Sequence, residues 1–286
     1  MGAPKNYEDL IREIHDRYDH MSKSYQTIAL YLTQNPNDVA VKSVAAIADL
    51  CGVHASGFVR FAQSLGYTGF KELQLVFQKR LATAAPGFEA RVKALEEELG
   101  GHRGAGPGAV LHDLVLRDIA SLQHLLAHTR TQDIQLAAEM MDRAETVYLV
   151  GQLRSAPIVD LLRYVLTMLG KRTVLLDASG GLATHMAKLA TPSDLLFAVS
   201  FRFYATEVVN IVEAGAARGV PILAISDSTL SPFAKNATLL FAVPEHEYTF
   251  SRSLAAPMCL AQALTVALAA RLQKDDRPRI PIVTQP

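Results

Sequence analysis

The feature that most constrains this chain is a beat in its second half. Five short apolar runs recur, at "TVYLVG" (146–151), "TVLLD" (173–177), "DLLFAVS" (194–200), "PILAIS" (221–226) and "ATLLFAV" (237–243). Between them lie segments with helical spacing, such as "SAPIVDLLRYVLTMLG" and "TEVVNIVEAGAARG", each ending in the glycine that commonly closes a helix. Strands that are apolar throughout have no face to offer water. Connected by helices, they require a parallel sheet covered on both sides. The expectation is an α/β fold with a five-stranded, doubly wound sheet, and such sheets hold small ligands beyond the C-terminal ends of their strands.

That beat does not reach the N-terminal part, which reads as helical throughout. The stretch "TAAPGFEARVKALEEELGGHRGAGPGA" between the two textures combines a charged middle, with the spacing of a short helix, and a glycine-rich turn. The division expected is an all-α domain over 1–82, a linker over 83–109, an α/β domain over 110–275 and a loose tail over 276–286. The α/β part opens with a further helix, roughly 110–142. Half of the 286 residues are hydrophobic and 20% are charged, enough for packed cores in both parts.

Within the helical part, "SVAAIADLCGVHASGFVRFAQSLGY" carries the spacing of a helix-turn-helix. Ala48 is small enough for the helices to approach, Gly52 permits the turn and Phe58 anchors the second helix. That helix, over about 55–65, buries Phe58, Phe61, Ala62 and Leu65 and turns Ala55, Ser56, Val59, Arg60 and Gln63 outward. In this motif the outward half enters the major groove, where short side chains allow close approach and an arginine reaches phosphate or guanine. The same spacing also serves ordinary helical domains. Residues 1–80 hold nine Lys/Arg against eight Asp/Glu, a slender excess for a DNA binder, gathered near the motif at Lys42, Arg60, Lys71, Lys79 and Arg80.

Together, "QTIALYLTQNP", "SVAAIADLCGV", "VRFAQSLGYTGFKELQ" and the five-strand block resemble the RpiR/MurR-type bacterial transcription regulators. The run from Arg60 to Leu73 is the most specific element, and the likeness covers nearly the whole chain. The resemblance implies an N-terminal helix-turn-helix, a C-terminal sugar-isomerase (SIS) domain, and a homodimer or homotetramer on double-stranded operator DNA. It further implies control by a small metabolite, usually a sugar phosphate. The residues then expected at the DNA are Lys42, Ser43, His54, Ala55, Ser56, Gly57, Val59, Arg60, Gln63 and Lys71. Two of them depart from the family, whose second helix usually begins with Ser and carries Thr three residues later. His54 is a weak cap, and Gly57 inside a helix costs about 1 kcal/mol relative to Ala. One reading gives Gly57 a close approach to the DNA backbone; the other is drift at an exposed position.

The resemblance also implies an anion site. In such domains the first strand runs into G-x-G-x-S and the third into S-x-S-G-x-T, and their hydroxyls, N–H groups and helix N-termini hold a phosphate. Here the segments read "GQLRS" (Gly151–Ser155) and "SFRFYA" (Ser200–Ala205). Gly151, Ser155 and Ser200 match. Leu153, Arg202, Phe203 and Ala205 replace Gly, Ser, Gly and Thr, with Thr206 one place later. The effector contacts expected are Gly151, Arg154, Ser155, Ser200, Arg202, Tyr204, Thr206 and Glu207, joined by Glu245 and Ser251 after the last strand. Arginine binds phosphate or carboxylate through a planar fork. The effector expected is therefore a small anion, a sugar phosphate or sugar acid, against an apolar wall of Phe201, Phe203 and Tyr204. The alternative is that Arg202 pairs with Glu207 or across a subunit contact.

Other classes find less support. Lys+Arg and Asp+Glu balance at 28 each, so net charge selects no partner. Cys51 and Cys259 lie far apart in apolar-patterned segments and read as reduced core thiols. No run of about 18 uncharged apolar residues and no signal-peptide core is seen, so no membrane partner and a cytoplasmic location are expected. No P-loop, zinc spacing or nucleophile elbow is found, and "GQLRS" lacks the second glycine of a dinucleotide fingerprint, so neither metal nor cofactor is expected. A sugar-phosphate isomerase is the rival. It needs a proton shuttle, and Glu207, His185, His246, Glu245 and Asp177 form no defined constellation; the expectation is no catalytic residue.

Overall fold

The computed structural model describes residues 2–82, 92, 95, 96, 100, 107–202, 204–243 and 252–274. The chain forms two compact units, one built on Met1–Glu97 and the other on Glu98–Thr229 with Phe233–Pro286. Most of the stretch expected as a linker, and all of the expected tail, lie outside the described residues.

The first unit contains α1 (Tyr7–Arg17), α2 (Lys23–Gln34), α3 (Pro36–Val41), α4 (Val44–Cys51), α5 (Ala55–Ser64) and α6 (Phe70–Ala82). Polar caps set their starts: the side chains of Asn6, Ser22 and Ser43 accept from the backbone N–H of Asp9, Tyr25 and Ala46. The apolar faces close on one core, where Leu10, Ile14, Ile28, Leu32, Ile47, Phe58, Phe61, Leu73 and Phe77 are shut off from solvent. The open C-terminal end of α3 is sealed from α6. Gln74 Nε2 donates to the carbonyls of Val39 (2.9 Å) and Lys42 (2.8 Å), and Gln78 Nε2 donates to that of Ala40 (3.0 Å).

Between α4 and α5 the chain bends by 103°. Gly52 makes the bend in the left-handed region, at φ +65°, where a side chain would clash with its own backbone. Gly57 is another matter. It is buried, and a Cβ built on it would meet Ile28 Cδ1 at an ordinary 3.5 Å. It faces α2, not the surface, so neither a DNA approach nor drift at an exposed position describes it. We expect Gly57→Ala to stabilise the first unit by about 0.5–1 kcal/mol, from backbone entropy, and Gly52→Ala to destabilise it by about 1–2 kcal/mol. Urea denaturation followed by circular dichroism separates the two.

The second unit holds the parallel sheet β1 (Val147–Val150), β2 (Thr173–Leu175), β3 (Leu195–Val199), β4 (Ile222–Ser226) and β5 (Leu239–Ala242), in the order β2-β1-β3-β4-β5. Its helices are α7 (Pro107–His128), α8 (Thr131–Arg143), α9 (Ala156–Met168), α10 (Ala183–Ala187), α11 (Thr206–Ala217) and α12 (Ala255–Lys274). Alternate strand residues feed two cores. Val147, Leu149, Phe197 and Leu223 pack with residues of α8, α9 and α12, while Tyr148, Val150, Ala198 and Ala224 pack with residues of α10 and α11. Gly170 and Gly219 close α9 and α11 as expected.

Three expectations are corrected. The single helix over 110–142 is two, because Arg130 leaves helical backbone (φ −81°, ψ 137°) and its guanidinium grips Asp133 at 2.9 Å to start α8. Among the described residues one helix, Ala255–Gln273, is long and apolar enough to cross a membrane, with a mean hydropathy of 1.5. Its Ala256, Leu260, Ala261, Leu264 and Leu268 are buried in the core of the second unit, which accounts for much of that apolarity. Lastly, Cys259 is exposed on α12, not a core thiol, whereas Cys51 is partly buried and burial pushes its thiol up to about 11. Because only the thiolate is nucleophilic, iodoacetamide at pH 7.5 should alkylate Cys259 in the native protein and reach Cys51 only on unfolding, as peptide mass spectrometry would report.

Candidate functional site

Strand order 2-1-3-4-5 reverses direction between β1 and β3, and the crevice at that point is where a doubly wound sheet accepts a ligand. The chain leaves β1 through Gly151, where a Cβ would lie 2.8 Å from Val159 Cγ1 and 3.0 Å from Val199 O. Gly151 therefore lets α9 and β3 close on the loop, a packing role. Ser155, at the start of α9, and Ser200, at the end of β3, are 3% and 4% exposed. Neither hydroxyl is hydrogen-bonded to any other described residue. At α9 the Ala156 N–H already donates to Leu153 O and Pro157 has none to give, whereas the N-terminus of α11 carries no side-chain cap, so its first N–H groups are open on this edge.

Around those serines the charged groups are already engaged. Glu207, in the first turn of α11, accepts from Gln152 Nε2 (2.6 Å) and Thr184 Oγ1 (3.2 Å), which ties the loop after β1 and helix α10 to the helix after β3. Arg202 does not pair with Glu207. Its Nε lies 3.7 Å from Asp227 Oδ2, with the two side chains 11% and 1% exposed. Tyr204 is buried, and its hydroxyl donates to Asp227 Oδ1 at 2.7 Å. Ser226 Oγ donates to the Ser200 carbonyl at 2.8 Å, joining the ends of β3 and β4. Arg154 stacks over the Phe201 ring at 4.8 Å, and its Nη1 approaches the carbonyls of Arg252 and Ser253 at 3.4 Å.

The residues expected from sequence thus divide. Gly151, Arg154, Ser155, Ser200, Arg202, Tyr204, Thr206 and Glu207 all sit on the loops or helix starts at the C-terminal ends of β1 and β3. Glu245, His246 and Ser251, like Phe203, lie outside the described residues. Gln152, Thr184, Ser226 and Asp227 escaped sequence reading. The signal for the last two was present in "PILAISDS", polar residues directly after an apolar strand.

In the first unit, Ser56, Arg60 and Gln63 are exposed on α5 and Arg60 has no hydrogen-bond or ion-pair partner among the described residues, while Ala55 and Val59 are half-buried against the core. His54 stands at the N-cap position and is exposed, but its ring makes no capping bond, which leaves first-turn N–H groups of α5 open. Lys42 is paired with Asp38 at 2.7 Å, Ser43 is engaged in capping α4, and Lys71 is exposed. Arg80 drops out of the surface charge. It is 7% exposed, over the Tyr7 ring and bonded to Asn37 Oδ1.

Comparison with known proteins places both units. Residues 8–84 match the rpiR-family helix-turn-helix domain, and residues 140–267 match the SIS domain. The chain is 25% identical over 249 residues to the HTH-type transcriptional regulator HexR of Pseudomonas aeruginosa, covering 85% of this chain and 81% of that protein. It is 26% identical over 258 residues to the HTH-type regulator YfhH of Escherichia coli, covering 89% and 88%. Among solved structures, the sugar isomerase domain of an RpiR transcription factor from Sphaerobacter thermophilus superposes with a TM-score of 0.53 at 29% identity, over 58% of this chain and 97% of that one. NanR of Vibrio vulnificus, solved with ManNAc-6P, shares the fold over 93% of both chains, with a TM-score of 0.53 at 18% identity.

A helix-turn-helix unit followed by a SIS-type α/β unit defines the protein as a DNA-binding transcriptional regulator. Within that class, its first unit carries the helix-turn-helix domain of the rpiR family and its second a SIS domain.

One site residue is strained. Leu153, where the family pattern has glycine, sits at φ +55° and is 77% exposed, the one non-glycine at positive φ among the described residues. Leu153→Gly should therefore raise stability by about 0.5–1 kcal/mol with no packing lost. Gly151→Ala should lower it by about 1–3 kcal/mol through overpacking. Thermal melts of both variants check this.

Proposed function

We propose that this chain is a cytoplasmic, ligand-responsive regulator of a carbohydrate or sugar-acid operon, whose SIS domain binds a small anionic effector and thereby controls operator binding. The observation that carries this reading is the pair of hydroxyls on Ser155 and Ser200, left without partners among the described residues at the switch point and beside the uncapped N-terminus of α11. They offer an anion donors that nothing in the chain already uses. The sugar phosphate held by NanR, ManNAc-6P, is the kind of ligand such donors suit. No catalytic step is assigned: both oxygens of Glu207 are already bonded, and His185 is exposed.

DNA is read by α5, with His54, Ser56, Arg60 and Gln63 outward and Lys71 nearby. The working form is a homodimer or homotetramer. Support comes from α7, where Leu111 (64% exposed), Val115, Leu116, Ile119 and Leu126 (83%) form an uncovered apolar face, and from Val266 on α12, the helix against which α7 packs. The effector binds one arrangement of the subunits better and shifts the population. The DNA domain is taken as 1–82 and the effector domain as 110–275.

Arg60→Ala should weaken binding to an operator fragment by at least about tenfold in a gel shift, with an unchanged melt. Wild-type binding should fall steeply between 50 and 200 mM salt, through counterion release. A flat salt response would count against DNA as the partner. Turnover of any sugar phosphate by the purified protein would replace the sensor reading with the isomerase one.

A further inference from the structure

Arg202 was expected to meet the effector's anion, yet its charge is already met inside the protein. Asp227 lies at the end of β4, fixed from one side by Tyr204, whose hydroxyl holds Oδ1 at 2.7 Å, with Ser226 Oγ at 3.3 Å from the same oxygen. The other oxygen, Oδ2, faces Arg202 Nε across 3.7 Å. That is too long for a hydrogen bond. Both atoms are cut off from solvent and neither has a hydrogen-bond partner. A buried donor and a buried acceptor thus stand side by side, each with one bond unmade, next to Ser200, whose carbonyl is held by Ser226.

Two kinds of ligand group compete for this place. An anion would be drawn to Arg202 but would come within a few ångströms of the Asp227 carboxylate, which repels it. A neutral hydroxyl meets no such penalty. It donates to Oδ2 and accepts from Nε at once, completing both unmade bonds.

We propose that Arg202 and Asp227 form a built-in clamp that reads one hydroxyl of a polyhydroxylated effector, leaving the effector's anionic end to Ser155, Ser200 and the N-terminus of α11. The inference rests on the effector site described above and deepens it. Where the family pattern has a second serine, this chain has placed an arginine with its own counter-ion, so position 202 selects the sugar body and not the phosphate.

The test compares the wild-type full-length protein with Asp227→Asn, which keeps the shape of the side chain, and with Arg202→Gln, which removes the guanidinium and leaves a shorter polar group. Affinity is measured by ligand-induced thermal shift and calorimetry for inorganic phosphate and for glucose 6-phosphate, fructose 6-phosphate and ribose 5-phosphate. For the sugar phosphate that stabilises the wild type most, both variants should bind about tenfold or more weakly, since each loses a bond to a charged group. Inorganic phosphate should bind Asp227→Asn as well as or better than wild type, because a repelling charge has gone. A variant that loses phosphate and sugar phosphate equally, or neither, overturns the clamp while leaving the effector site standing. If none of the four probes stabilises the wild type, the effector reading itself fails, and the clamp with it.

Discussion

Everything in the second unit depends on burying both faces of a parallel sheet. Because successive strand side chains point to opposite sides, Val147 and Leu149 enter one core and Tyr148 and Val150 the other. Each core then needs its own helices, and those helices can return only over the sheet. The N-terminal ends of the helices after β1 and β3 are thereby brought to one edge, where the first N–H groups of α11 lack partners. The polar end of the unit is thus a by-product of how its apolar middle is satisfied.

What was legible in the sequence follows from that dependence. Strand runs, helix-closing glycines and the helix-turn-helix spacing are local patterns, and the ends of all five strands fall within two residues of their expected bounds. The break at Arg130 was not legible, because the apolar rhythm continues across it and just two residues, Thr129 and Arg130, separate the helices. The inward direction of Gly57 was missed for a similar reason. A residue without a side chain carries no polarity signal, and its face is decided by Ile28 on another helix.

The effector edge shows the sharper limit. Which loops meet there was implied by the resemblance, and the strand order bears it out. Which charges meet was not, since Arg202 and Asp227 are 25 residues apart in sequence and lie on different loops. A search for the arginine's partner near it in sequence finds Glu207, whose carboxylate is instead taken by Gln152 and Thr184. A short polar tail after an apolar strand marks a position on the rim of the sheet, not a bond.

The bonds of Glu207 have a mechanical consequence. One carboxylate knots together three stretches of chain that the sheet alone would leave independent, those following β1, β2 and β3. The rim at this point is a braced ring. A disturbance that rotates the start of α11 must either carry the other two stretches along or break the knot, so the rim answers in one concerted step where three separate loops would have drifted.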